Sequence, residues 1–234
     1  MYDSAHMALR SMDSRPQRFI PQARLRRMEV AMDRLKFFIP TLFGLEGLAA
    51  NELRRLKLSD VRAENGHVLC SGQLRDIPRL NLNLRTGERV LLVMSSFHAP
   101  DFDALFEGVK AIPWEDYLPR TAAFPVKGYS LNSALHSVPA CQSIVKKAVA
   151  ARLGRAYKLE TLPETGTLFQ IQFSIMKDTA TILLDTTGAG LHKRGYRAVG
   201  VEAPLRETLA AAMVMLSQYR GKDPFCDPFC GSGT

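Results

Sequence analysis

The stretch Lys36-Phe37-Phe38-Ile39-Pro40 begins the part of the chain that we expect to be folded. This short apolar run predicts a β-strand. Between residues 45 and 56 the apolar side chains recur at helical spacing, with charged side chains between them, and this pattern predicts an amphipathic helix. A hairpin is predicted over residues 61–71, because Asn65-Gly66 is a strong signal for a tight turn between two strands.

Two further elements follow the predicted hairpin. Residues 77–84 have the spacing of a second helix, and residues 89–97 are rich in Val and Leu and predict another strand. The resulting order, β-α-β-β-α-β, is the order of a split βαβ, ferredoxin-like unit. The first folded part of the chain is therefore expected to have that fold.

The next part of the chain also mixes helices and strands, so the expected fold class is α+β. A helix is predicted over residues 101–111, and a long helix follows Pro139. Strands are predicted over residues 124–131, 168–175 and 179–186.

The C-terminal residues carry the most specific motif of the sequence. A strongly apolar helix is predicted from Pro204 to just before Gly221, and residues 225–227 predict a strand that leads into Gly231-Ser232-Gly233-Thr234. Glycines at such a strand end let the main chain approach a ligand closely. The spacing differs from that of a phosphate-binding P-loop, and no Lys follows.

Residues 1–34 differ in composition from the rest of the chain. They contain seven arginines and no lysine, with Ser, Pro and Gln between them, and little apolar bulk. This composition predicts a mostly disordered basic tail. Translation that starts at Met28 or Met32, or an RNA-binding arm, are alternative interpretations of this segment.

The overall composition limits the class of protein. The formal net charge is +8, which favours a polyanionic partner, and 46% of the residues are hydrophobic, which allows a packed core. Four scattered cysteines indicate a reducing cytoplasm rather than a disulfide framework, and no zinc-site spacing is present. No apolar run is long enough to span a membrane.

Positive charge is concentrated in one stretch of the sequence. Residues 121–158 contain no Asp or Glu, and their six basic side chains are Lys127, Lys146, Lys147, Arg152, Arg155 and Lys158. Such an unrelieved basic surface suits a nucleic acid, because phosphate contacts release counterions. A solvated helix face that happens to lack acids is the simpler alternative.

A second basic cluster surrounds an aromatic ring. It consists of Lys193, Arg194, Tyr196 and Arg197, with Gly195 between them. Cations can hold phosphates and a ring can stack on an unpaired base, so this cluster is a candidate RNA contact. The alternative is a hairpin end with Tyr196 packed on the core.

These motifs resemble those of a known family. Residues 227–234, Asp-Pro-Phe-Cys-Gly-Ser-Gly-Thr, resemble motif I of class I methyltransferases that use S-adenosylmethionine (SAM) on nucleic acids. Residues 204–212 resemble the preceding helix in RNA methylases with a THUMP domain, and residues 193–197 and 130–152 resemble their linker and THUMP sequences. Over residues 35–234 the chain is similar to RlmL-type 23S rRNA guanine-N2 methyltransferases and related RNA methylases.

The resemblance implies the domain organisation, the cofactor and the partner. The implied parts are a basic tail (1–34), a ferredoxin-like domain (35–98), a THUMP RNA-binding domain (99–190), a basic linker (191–203) and the start of a truncated Rossmann-like methyltransferase domain (204–234). The implied cofactor of the whole protein is SAM, and the implied partner is RNA, in particular 23S rRNA.

The resemblance also implies individual site residues. The residues expected along or beside the cofactor are Pro204, Arg206, Thr208, Asp227, Pro228, Phe229, Gly231 and Gly233. Asn132, in the THUMP-like run, joins the basic residues as an RNA-binding candidate.

The sequence departs from the family pattern at its end. It stops at Thr234, before the acid that would hold the ribose and before the Asn/Asp-Pro-Pro-Tyr motif. We therefore expect no catalytic residue in this chain and weak or no binding of SAM by it. Its oligomeric state stays open.

Two other functions compete with an RNA methyltransferase. A stand-alone THUMP RNA-binding module is one alternative, and the glycine loop argues against it because a binding module needs no such loop. A THUMP domain attached to a thiouridine synthetase or a deaminase is the other, and the sequence lacks both C-x-x-C and H-x-E.

Overall fold

The computed structural model describes residues 35–195 and 204–230. The predictions for residues 1–34, among them the disordered basic tail, lie outside the described residues. So do those for residues 196–203 and 231–234.

The first half of the described chain has the predicted β-α-β-β-α-β order. Its elements are β1 (Leu35–Pro40), α1 (Glu46–Arg55), β2 (Ser59–Glu64), β3 (His67–Gly72), α2 (Asp76–Asn83) and β4 (Leu91–His98). Strand β1 lies between β3 and β4 and is antiparallel to both, and β2 pairs with β3 at the outer edge. This arrangement confirms the ferredoxin-like prediction.

The hairpin turn is fastened to the first helix. Gly66 has a φ of 78°, a left-handed conformation that glycine adopts without steric cost. The carboxylate of Glu46, in the first turn of α1, accepts a hydrogen bond of 2.8 Å from the Gly66 N–H. This hydrogen bond is the main cause that lowers the pKa of Glu46 below its ordinary value.

The second half of the described chain contains the predicted helices and strands. Its elements are α3 (Phe102–Lys110), a short 3-10 helix (Trp114–Asp116), β5 (Val126–Leu131), α4 (Val138–Tyr157), β6 (Ile171–Met176) and β7 (Thr179–Asp185). Helix α4 connects the parallel strands β5 and β6, and β6 turns back into antiparallel β7. Trp114 is fully buried, and its indole Nε1 donates to the Val109 carbonyl at 2.9 Å.

One sheet runs through both halves. Within residues 35–195 the strand order is β2-β3-β1-β4-β7-β6-β5, and the antiparallel pair β4–β7 joins the halves. The boundary expected at residues 98 and 99 coincides with the end of β4. Buried side chains of both halves form one continuous core. The two halves are therefore not free to move independently about a linker.

The two faces of the sheet differ. Gly128 of β5 pairs with the buried Phe173, which belongs to the same core as the apolar side of α4. Because successive side chains of a strand point to opposite faces, Lys127 and Tyr129 lie on the face away from α4. Tyr129 is 43% exposed there.

The C-terminal part follows the prediction only in its helix. Helix α5 (Glu207–Leu216) is present and begins three residues after Pro204. The strand predicted over residues 225–227 is wrong for the described chain, because these residues are irregular and exposed. A strand requires a neighbouring strand to satisfy its backbone, and no described strand lies beside them. No helix within the described ranges is long and apolar enough to cross a membrane.

Replacing Gly128 by Ala should destabilise the fold, because the added Cβ would lie 2.3 Å from the Phe173 carbonyl oxygen. Overpacking of this kind costs about 1–3 kcal/mol. Urea unfolding followed by circular dichroism measures the loss. In the control Gly47→Ala the added Cβ meets nothing within 4 Å, so stability should stay or rise by up to about 1 kcal/mol. Equal stabilities of the two variants would contradict the close approach of β5 to β6.

Candidate nucleic-acid interface

Helix α4 presents one apolar side and one polar side. Its buried residues are Cys141, Val145, Ala148, Val149 and Leu153, which pack on the sheet. Four exposed residues follow one another at intervals of four, and they therefore form a single row along the helix: Ser143, Lys147, Ala151 and Arg155. Lys158 follows Arg155 as the C-cap of the helix, with a left-handed φ of 54°. We call Lys147, Arg155 and Lys158 the basic row.

Two of the predicted RNA-binding cations lie beside this row and are paired with acids. Lys146 Nζ lies 2.5 Å from the Glu164 carboxylate and 4.0 Å from the centre of the Phe124 ring. Arg152 donates two hydrogen bonds to Glu115, of 2.9 and 2.6 Å. The expectation of an unrelieved basic surface is therefore wrong, because the fold brings acids from outside residues 121–158 to the margins of the helix.

The pair of Arg152 and Glu115 is the stronger of these two contacts. A bidentate bond matches the planar guanidinium to both carboxylate oxygens. This hydrogen bonding is the main cause that raises the pKa of Arg152 above its ordinary value. Arg152 thus fastens α4 to the short 3-10 helix.

The basic row remains available to a partner. Its three side chains are exposed, and within the described parts of the chain none of them has an ion pair. Lys147 and Arg155 are two turns apart on one face, which is about 12 Å along the helix. Exposed cations at such spacing can contact two phosphates of the same nucleic-acid strand.

Two other predicted RNA-binding residues lie away from the basic row. Lys127 lies on the opposite face of the sheet, and Asn132 lies in the loop before α4, at the other end of the helix. Asn132 has a left-handed φ of 50°, and the following loop residues are held by Asp178. Asp178 accepts hydrogen bonds from Ser133 Oγ at 2.7 Å and from the Ala134 N–H at 2.8 Å. These bonds, the Ser133 bond first, lower the pKa of Asp178.

The second basic cluster is only partly described. Arg194 donates to the carbonyls of Asn81 at 2.9 Å and Leu82 at 3.2 Å, and also to that of Leu84. These carbonyls lie at the C-terminal end of α2, so Arg194 caps a helix of the ferredoxin-like half. Lys193 is exposed. Tyr196 and Arg197 lie outside the described residues.

Two of the residues predicted to flank the cofactor, Arg206 and Thr208, contact the ferredoxin-like half, and their role at the cofactor stays a prediction. Thr208 is 1% exposed, and its hydroxyl donates to Glu88 Oε1 at 2.6 Å. Arg206 Nη1 lies 3.6 Å from Glu88 Oε2, and Pro204 is exposed. Glu88 belongs to the ferredoxin-like half, immediately before β4.

The predicted cofactor loop forms no cradle within the described residues. Asp227 accepts a hydrogen bond of 2.9 Å from the Phe229 N–H, which closes a local turn. Pro228 is exposed and Phe229 is 92% exposed. Gly231 and Gly233 lie outside the described residues. That these residues lie along SAM stays a prediction.

Sequence reasoning missed three acids that organise these sites. Glu164 lies 18 residues from Lys146, Glu115 lies 37 from Arg152, and Glu88 lies 120 from Thr208. Charge counted in a continuous window cannot find partners at such separations. A charge count that included the short 3-10 helix, once that helix and α4 are known to be adjacent, would have found Glu115.

Family models match three consecutive parts of the chain. The RlmL ferredoxin-like domain matches residues 36–91, the THUMP domain matches residues 99–185, and an RMKL-like methyltransferase domain matches residues 194–234. The fold and these matches thus define a protein with a ferredoxin-like and a THUMP domain joined to methyltransferase sequence.

Named relatives have the same character. The chain is 46% identical over 195 residues to the "Putative RNA methyltransferase YpsC" of Bacillus subtilis. The aligned residues make up 82% of this chain and 50% of that protein. It is 34% identical to the ribosomal RNA large subunit methyltransferase K/L of Psychromonas ingrahamii, over 86% of this chain and 27% of that protein. The chain thus spans half or less of these curated relatives.

Solved structures agree with the relatives. A "predicted N6-adenine-specific DNA methylase" from Listeria monocytogenes str. 4b F2365 has 48% identity and a TM-score of 0.82, over 88% of this chain and 54% of that one. SMU.472, described as "a putative methyltransferase complexed with SAH", has 42% identity and a TM-score of 0.80, over 86% and 53%. The chain thus contains sequence of an RlmL ferredoxin-like domain, a THUMP domain and an RMKL-like methyltransferase domain, and it is similar to proteins named as RNA or rRNA methyltransferases.

Replacing Arg152 by Ala should destabilise the THUMP half by about 1.5–3 kcal/mol, because hydrogen bonds to a charged partner are lost and Glu115 is left without its guanidinium. The control is Arg155→Ala. Arg155 lies about one turn after Arg152 and belongs to the exposed basic row, so this substitution should change stability by less than about 0.5 kcal/mol. Thermal unfolding of both variants measures the difference. Equal losses would show that Arg152 is no more structural than its exposed neighbour.

Proposed function

We propose that the THUMP half binds RNA through the basic row of α4, as the RNA-recognition part of a SAM-dependent RNA methyltransferase. The observation that carries the proposal is that Lys147, Arg155 and Lys158 are exposed and have no ion pair with residues 35–195 or 204–230, while the flanking Lys146 and Arg152 are paired. The ion pairs of the flanking residues leave positive charge on the basic row, where it can contact phosphates without breaking internal contacts.

The names of the relatives support a more specific substrate. Several matched proteins are large-subunit rRNA methyltransferases K/L, so we propose 23S rRNA as the RNA. Guanine N2 as the methylated atom is carried over from the family resemblance alone. A cytoplasmic location follows from an rRNA substrate.

The cofactor proposal rests on the same family. One structural neighbour is complexed with SAH, the demethylated form of SAM, which supports SAM as the methyl donor of the whole protein. The described part of residues 227–230 is exposed and builds no pocket. We therefore propose RNA recognition for residues 35–195 and assign no catalytic group among the described residues.

Two alternatives are weaker. A stand-alone RNA-binding module has no need of methyltransferase sequence, but residues 194–234 match an RMKL-like methyltransferase domain. DNA as the substrate is favoured by one similar solved structure, which is described as a predicted N6-adenine-specific DNA methylase. RNA is preferred because a THUMP domain is present and because the curated relatives are named RNA or ribosomal RNA methyltransferases.

The RNA proposal is tested by charge reversal. Lys147→Glu with Arg155→Glu should weaken binding to an rRNA hairpin with a single-stranded end, and should lower the slope of log affinity against log salt by about 2, since two phosphate contacts are lost. Fluorescence anisotropy over a salt series measures both quantities.

The matched control reverses the same number of charges elsewhere. Arg55→Glu with Lys57→Glu lies at the exposed end of α1 in the ferredoxin-like half, and it should leave the slope unchanged. Equal effects of the two double variants would show that only the net charge attracts RNA. Equal affinity for double-stranded DNA of the same length would favour the DNA alternative.

A further inference from the structure

The backbone of Glu88 makes hydrogen bonds to the ferredoxin-like half and to the segment that follows the THUMP half. Its main-chain N–H donates to the Pro40 carbonyl at 2.8 Å, at the end of β1. Its own carbonyl accepts from the Leu191 N–H at 2.9 Å. The backbone of Glu88 is therefore tied to the central strand of the ferredoxin-like half on one side and to the segment that leaves the THUMP half on the other.

The carboxylate of Glu88 lies close to three polar side chains. Thr208 Oγ1 lies 2.6 Å from Oε1, while His192 Nδ1 and Arg206 Nη1 lie 3.2 and 3.6 Å from Oε2. The Glu88 side chain is only 16% exposed. The short Thr208 bond is the one with hydrogen-bond geometry, and a carboxylate acceptor makes it charge-assisted.

The first turns of α5 are buried where they meet this carboxylate. Thr208 is 1% exposed, and Ala212, one turn further along the same side, is fully buried. The other side of α5 is open, with Met213 57% exposed and Leu216 62% exposed. Helix α5 is thus seated on the described body by the Thr208 side.

A second contact fastens the same connection further upstream. Arg194 donates to main-chain carbonyls at the end of α2, as described above. Arg194 and Thr208 lie on either side of residues 196–203, and both contact the ferredoxin-like half. The connection between THUMP and methyltransferase sequence is therefore held at both of its ends by this half.

We propose that Glu88 is a positioning residue, and that its carboxylate, with Thr208, fixes helix α5 and hence the start of the methyltransferase domain against the ferredoxin-like half. One carboxylate that accepts a hydrogen bond from the buried Thr208 hydroxyl and lies within 4 Å of the Arg206 guanidinium sets both the place and the rotation of the helix. Methyl transfer requires donor and acceptor to be held together, so this contact would fix the donor domain relative to the RNA-binding row. That consequence rests on the proposed function, whereas the contact itself does not.

The test uses the 234-residue chain without RNA or SAM, so its outcome is independent of the proposed RNA binding. Thr208→Val keeps the branched shape and removes the hydroxyl, and Thr208→Ser keeps the hydroxyl. Amide hydrogen exchange of residues 207–216 should become at least about ten-fold faster in Thr208→Val, the loss expected for one hydrogen bond to a charged group. Thr208→Ser should retain most of the protection.

Two further variants test the carboxylate. Glu88→Ala should accelerate exchange in α5 as Thr208→Val does, whereas Glu107→Gln, which changes a surface acid paired only with Lys110, should not. Exchange in α4 should stay unchanged in all four variants, which separates a local positioning effect from general unfolding. If Thr208→Val and Thr208→Ser exchange at the same rate as the unaltered chain, the proposal is wrong.

A distance measurement gives a readout that a merely stabilising contact would not change. Nitroxide labels on Glu160→Cys and Met213→Cys, with the exposed Cys226 and Cys230 replaced by Ser, report the separation of THUMP half and α5. The labelled chain should give one narrow distance distribution, which Thr208→Val broadens or shifts. A distribution that is already broad before the substitution, or one that Thr208→Val leaves unchanged, would overturn the proposal.

Discussion

The structure depends on the antiparallel pairing of β4 with β7. These strands come from different halves of the chain, and their pairing turns two small α+β units into one seven-stranded sheet with a shared core. At one end of the pair the buried carboxylate of Asp185 accepts from Arg89 at 2.6 Å, from Gln172 at 3.2 Å and from the Thr187 N–H at 2.8 Å. A buried charge is tolerated only with such partners. The basic row of α4 and the Glu88 contact are therefore parts of one rigid frame.

Much of the fold could be predicted from the sequence because its signals are local. Alternation, helical spacing and the Asn65-Gly66 turn each act over a few residues, and they placed every α-helix and strand between residues 35 and 195 to within a few positions, but not the short 3-10 helix Trp114–Asp116. The joining of the halves was not predicted, because nothing in β4 or β7 marks the other as its partner. The strand at residues 225–227 was predicted wrongly, since an apolar run becomes a strand only beside another one.

The candidate site was less predictable for a physical reason. The six cations of residues 121–158 look alike in the sequence, but the fold divides them: Lys146 and Arg152 are paired with acids, Lys127 lies on the other face of the sheet, and Lys147, Arg155 and Lys158 remain exposed. Arg194 is predicted to contact RNA and Thr208 the cofactor, and the structure adds that both contact the ferredoxin-like half, which the sequence did not indicate. Residue type and spacing indicated a class of function, while tertiary contacts decided which side chains are available for it.

The central claim is that RNA binds the unpaired cations of α4 and not the paired ones. Lysine acetylation followed by mass spectrometry, with and without an rRNA hairpin, tests it residue by residue. Lys147 and Lys158 should react readily in the free chain and be protected by RNA, Lys146 should react slowly in both states because it is paired with Glu164, and Lys57 should react equally in both states. Protection of Lys57 without protection of Lys147 and Lys158 would place the RNA on the other half of the molecule and contradict the account.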